Sequence, residues 1–157
     1  MRKMFLTVVA VLAASSAFAQ LPNPYGASVN LDTARKIAAM SITEANKSGF
    51  KMAIAIVDTA GDLVYFEKMD GTQVASVNIA QDKARSSVRF KRPTKAMQDI
   101  LAAGGAGVRF LALQGAVPVE GGLPLLMDGK IVGAIGASGG TSDQDGQVAK
   151  AGADSVK

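Results

Sequence analysis

The dipeptide Asp128-Gly129 stands between two apolar runs, residues 123–127 and 130–136. Two residues of this kind accept positive φ, and the tight turn they make matches the right-handed twist of paired strands. The segment therefore predicts a β-hairpin. A second hairpin is read from "KMAIAIVDTAGDLVYFEKMDG", with strands over residues 52–57 and 63–68 and a turn over 58–62 that contains Gly61. Asp70-Gly71 marks the next break. Two hairpins commit the chain to a largely antiparallel sheet, and no βαβ repeat supports a parallel one.

Helical spacing fills the intervals. Asn30 is a candidate N-cap, Asp32 suits the first turn, and Ala34, Ile37, Ala38, Ser41 and Ala45 recur on one face before Gly49. From about Ser76 a second helix carries Val77, Ala80, Ala84 and Val88, and its two alanines would admit another backbone closely. Pro93 opens a short helix, and Gly104, Gly105 and Gly107 read as a flexible link. Residues 116–119 read as a short strand that Pro118 places at a sheet edge. Thr141 or Ser142 caps a last helix with Asp143 and Asp145 in its first turn. The expected order is α-β-β-α-α-β-β-β-α, an α+β domain with a five-stranded antiparallel sheet flanked by helices.

The N-terminus reads as an export signal. Met1-Arg2-Lys3-Met4 is basic, residues 5–14 are apolar but too short to span a bilayer, and Ala17-Phe18-Ala19 offers a small-x-small cleavage site. An uncleaved anchor is the alternative. Cleavage leaves one domain over residues 20–157, begun by an extended arm (20–29) with Pro22, Pro24 and Gly26. The protein is then periplasmic or secreted, without stable membrane insertion. The net charge of +4 includes Arg2 and Lys3 of the signal, so it implies no nucleic-acid partner.

The chain contains no histidine and no cysteine. That removes the usual zinc, iron–sulfur and thiol chemistry and leaves only carboxylate sites for magnesium or calcium. It also bears on Gly136-Ala137-Ser138-Gly139-Gly140, which fits the G-x-S-x-G pattern of a nucleophile elbow. Ser138 lacks the imidazole that usually activates such a serine, although a lysine base stays open. The glycines serve equally as a tight strand-to-helix connection, a ligand loop or a subunit contact. Arg85, Arg89, Lys91, Arg92 and Lys95 cluster around a helix end. They complement the helix dipole or form a carboxylate clamp. Asp58, Asp62, Glu67 and Asp70 suit turns, or an acid–base pair if two converge. Glu120-Gly121-Gly122 precedes Pro124, as a bend into an edge strand or as bare backbone open to a ligand.

"AIAIVDTAGDLVYFEKMDG", "DKARSSVRFKRPT" and "EGGLPLLMDGKIVGAIGASGGTSDQDGQVAKAG" together resemble the GlcG/HbpS family of haem-binding proteins. The domain is similar to the C-terminal domain of PduO-type cobalamin adenosyltransferases. The resemblance runs from about Leu31 to Ser155. It implies a five-stranded antiparallel sheet like profilin or a sensor domain, a homo-oligomer (octamers occur in the family), and haem binding by secreted members. Some members are said to degrade haem or report redox stress. The family's motifs fall here on Lys83-Ala84-Arg85, Arg92-Pro93-Thr94, Ser138, Gly139, Gly140 and Asp145. Some members use histidine on the iron. Here the axial candidates are Tyr65 first, then Tyr25, Met40, Met52, Met69, Met97 and Met127. Arg85, Arg89 or Arg92 would hold the propionates, with Glu120, Gly121 and Gly122 also against the ligand.

The reading is a secreted or periplasmic oligomeric binding protein for haem or a related tetrapyrrole, not an enzyme in itself. The alternatives are a periplasmic enzyme or accessory subunit acting on a small organic acid, and an oligomeric interaction module.

Overall fold

A computed structural model describes residues 23–156. The export signal expected over residues 1–19 lies outside the described residues. Helix α1 (Leu31–Ser48) starts where the Asn30 side chain accepts the Thr33 N–H at 2.9 Å and stops at Gly49, φ 72°. Strands β1 (Ala53–Val57) and β2 (Leu63–Lys68) are joined by a turn that one oxygen of Asp58 organises. It accepts the N–H groups of Ala60, Gly61 and Asp62. Then follow α2 (Ser76–Phe90), α3 (Thr94–Ala102) and a 3-10 helix (Gly105–Ala112). The hairpin of β3 (Gly122–Met127) and β4 (Lys130–Ser138) turns on Asp128 and Gly129, both at positive φ. Helix α4 (Ser142–Ala153) begins with Thr141 and Gln144 in a reciprocal capping box.

The sheet order is β2-β1-β4-β3, with every pair antiparallel. Ile54, Ile56, Ile135 and Ala137 face α1 and α4, while Ala53, Ala55, Val57 and Ala134 face α2. A sheet covered on both faces needs apolar residues on both, which is why β1 is buried at every position. Helix α2 sits unusually close to β4. A Cβ at Gly136 would overlap the Ala80 carbonyl and lie 2.7 Å from the Ala84 nitrogen. Ala80, Ala84 and Gly136 are thus one packing device.

The α+β class stands, but the five-stranded sheet is corrected to four strands among the described residues. Residues 116–119 form no strand because their donors are used elsewhere. The Val117 N–H goes to Ser86 Oγ at 2.9 Å, the Val119 N–H folds back to the Val117 carbonyl, and Pro118 has none. The link expected around Gly104, Gly105 and Gly107 is instead wound into the 3-10 helix. Beyond the Val57–Ala134 pair β1 no longer covers β4. Residues 24–29 take that free edge: Gly26 and Val29 donate to the Ile131 and Val132 carbonyls, and Pro24 accepts from Ile131.

Candidate functional site

Lysine in a helix normally keeps its ammonium in water. Lys83 on α2 is instead only 1% exposed and heads the fully buried side chains by size. Its Nζ donates to Asp145 Oδ2 on α4 at 2.6 Å and to the Ala137 carbonyl at 3.2 Å. The other Asp145 oxygen accepts the Gly140 N–H at 2.9 Å. Since α2 and α4 lie on opposite faces of the sheet, the lysine must pass it where β4 ends and β3 begins. Two glycines leave the space. A Cβ at Gly121 would come within 2.9 Å of Lys83 Nζ and 2.7 Å of the Ala137 oxygen, and one at Gly122 would overlap the Lys83 carbonyl. Gly121 also holds φ at 123°, which favours glycine. Thr94, fully buried at the start of α3, accepts the Gly122 N–H at 2.9 Å and fixes the bend.

The motif residues Lys83, Thr94, Gly121, Gly122 and Asp145 therefore meet at one buried junction, with the Gly140 N–H reaching it from the exposed loop. Ser138 lies beside it, 3% exposed, and bonds to Ser76 Oγ at 3.2 Å. Lys83 is committed to Asp145 and Ala137, so it forms no pair with Ser138. A Cβ at Gly139 would overlap the Lys51 carbonyl, so this glycine serves a close backbone crossing.

The arginines lie elsewhere. Arg85 reaches Asp82 at 3.4 Å and Gln81 at 3.2 Å along the outer side of α2. Arg89 lies against the Ala60–Gly61 turn, and Arg92 Nε donates to the Phe90 carbonyl at 3.1 Å. Tyr65 is on β2, at the opposite end of the sheet from β3, and donates to Glu67 Oε2 at 2.9 Å. That bond holds the phenol proton and raises its pKa, with burial and the Glu67 charge adding to it. Asp58 is used by its turn and Glu67 by Tyr65. Among the described residues no three carboxylates gather in a way that could hold a metal ion, and no helix is long and apolar enough to cross a membrane.

A groove of about 710 Å³ runs along the free edge of β3. Leu123, Pro124, Leu126, Ile131 and Val156 give it apolar walls, Lys91 adds positive charge, and Lys150 and Asp154 line it as an ion pair. Lys91 ends α2 at φ 52° and sets its ammonium 4.1 Å from the centre of the Tyr25 ring. Tyr25 in turn donates to the Val88 carbonyl at 2.8 Å. Sequence reasoning missed this groove. Lys150 and Val156 follow helical spacing in the last segment, but only the packing of α4 against β3 shows what they line.

A smaller hollow of about 360 Å³ adjoins the groove, sharing Pro93, Leu123 and Lys150 with it. Glu120 lies at its inner end with Gly121 and Gly122. The Glu120 N–H donates to Gln98 Oε1 at 2.7 Å, while its Oε2 is buried without a hydrogen-bond partner. Burial raises the Glu120 pKa; the Lys95 charge opposes this, and the Asp143 and Asp99 charges and a side-chain interaction with Asp143 add to it.

The family model for HbpS-like, haem degrading proteins matches residues 29–154. The GlcG protein of Escherichia coli is 37% identical over 105 residues, covering 67% of this chain and 77% of GlcG. The crystal structure of a double mutant of HbpS from Streptomyces reticuli superimposes with a TM-score of 0.77 at 27% identity, covering 97% of this chain and 99% of HbpS. The structure of a PduOC–haem complex gives a TM-score of 0.74 at 22% identity, over 83% of this chain and 96% of that one.

Proposed function

This chain belongs to the HbpS-like family, and on that premise we propose that it binds haem or a related tetrapyrrole in the groove along β3. The observation that carries the proposal is the lining of that groove. Five apolar side chains from β3, β4 and the segment after α4 offer a face to a flat macrocycle, and Lys91 suits a carboxylate at its edge, while Lys150 is paired with Asp154. Burial of apolar surface would supply most of the affinity. Haem bound there would supply the redox chemistry of its iron. The chain's own part is to shield one face of the ring and, through Lys91, to hold a propionate. No tyrosine or methionine is among the described lining residues, so retention rests on burial and charge rather than on either as axial ligand. Arg85, Arg89, Arg92 and Tyr65 do not line the groove. The buried junction of Lys83 and Asp145 has a positioning role in this reading: it fixes the bend from which β3, and hence one wall, departs.

We further propose that the protein acts outside the cytoplasm as a homo-oligomer. The first part rests on the signal-like residues 1–19. The second is supported by Val108, Leu111, Leu113 and Val119, exposed apolar side chains in and after the 3-10 helix.

Hemin titration of the chain from residue 20, followed by Soret absorbance, tests the proposal. We expect a saturable shift at micromolar hemin that Leu126→Asp weakens. No saturable shift, or an unchanged one in Leu126→Asp, contradicts it.

A further inference from the structure

The hollow beside the groove has a different chemistry. Its walls include Pro93, Ala96, Leu123 and Gly146, and the carboxylate of Glu120 closes it. The Glu120 backbone is anchored, and its carboxylate lies against α4. Its backbone N–H is bonded to Gln98, and a Cβ on Gly146 would overlap Oε1, so the glycine is what lets the carboxylate lie against α4. Oε2 has no hydrogen-bond partner. The nearest ammonium, Lys95, stands 3.9 Å away, beyond hydrogen-bond reach, because Asp99 holds it at 2.9 Å. Lys150, also on the wall, is paired with Asp154. Asp99 and Asp143 add negative potential at Glu120.

An orphaned carboxylate oxygen at the end of an apolar recess is costly to keep and is relieved by a charged N–H donor. We propose that this hollow binds the ammonium or guanidinium end of a small organic cation. The alkyl chain lies along Pro93, Ala96 and Leu123, and the charged end donates to Glu120 Oε2. The inference is independent of the tetrapyrrole reading, since it uses a separate polar end and the opposite ligand charge. Anions are disfavoured because both wall lysines are already neutralised by their own carboxylates.

Calorimetric titration of the chain from residue 20 with n-butylamine and n-butylguanidine tests the proposal, with n-butanol and valerate as uncharged and anionic controls. We expect saturable millimolar binding of both cations and none of the controls. Glu120→Gln should weaken the cations by about tenfold or more, as expected for loss of a hydrogen bond to a charged group. Ala96→Phe, which fills the recess and leaves Glu120 in place, should abolish binding by a separate route. Absence of saturation with either cation, an unchanged affinity in either folded variant, or preferential binding of valerate overturns the proposal. So does a change in native mass in Glu120→Gln with no binding of free amine by the parent protein. In that case the cation is a lysine of a second copy.

Discussion

Lys83 and Asp145 are 62 residues apart in sequence and 2.6 Å apart in space, both buried, and they tie α2 to α4 across the end of the sheet. A buried pair of this kind is weak evidence of net stabilisation, but losing one partner leaves the other charge in an apolar interior. Lys83→Met or Asp145→Asn should each cost about 3–5 kcal/mol of unfolding free energy. The double variant should cost less than the sum, because no orphan charge remains. Urea denaturation of the four proteins measures the coupling; strict additivity would contradict it.

Gly136→Ala should destabilise the fold through overpacking, by about 1–3 kcal/mol or more, because the added methyl meets the Ala80 carbonyl. Gly49→Ala offers a contrast. Nothing lies within 4 Å of its Cβ, so only the left-handed backbone opposes the change. The thermal midpoint of Gly136→Ala should fall further.

Thr141→Ala removes a hydroxyl that accepts the Gln144 N–H and one half of the capping box. It should cost about 1 kcal/mol. A loss of that size in the denaturation midpoint, with the native circular dichroism retained, is the expected result.

The Glu120 pKa is raised in the folded state, chiefly by burial. Its contribution to stability is therefore fully present below the unfolded-state pKa and is lost as pH rises through the higher folded-state value. Glu120→Gln stays neutral throughout. Parent and variant should diverge as pH rises through and just above the ordinary glutamate range, with the variant gaining relative stability. Parallel stability curves would show that Glu120 is not desolvated.

Where the signal is local, sequence and structure agree. Asn30 caps its helix, Gly49 ends it, and Asp128-Gly129 turns with both φ values positive. Each of these depends on a residue's own backbone preferences and its nearest neighbours. Residues 116–119 were misread because Ser86, 31 residues away, takes the Val117 N–H that a strand would need. The site was legible only in part for the same reason. The motifs name Lys83, Gly121, Gly122 and Asp145, but periodicity places a helical lysine at the surface. Only the glycine gap beside the sheet shows how it reaches a partner on the far face. The groove could not be read at all, since β3, β4, α4 and the N-terminal arm line it jointly.

The location of the tetrapyrrole is tested most directly by heteronuclear NMR of the chain from residue 20 with metal-free protoporphyrin IX, whose ring current marks nearby methyl groups. The groove reading predicts saturable shifts of the Leu123, Leu126, Ile131 and Val156 methyls, with Val64 on the far edge strand unmoved. Shifts centred on Val64 and on Val88 of α2, or none at all, would contradict it.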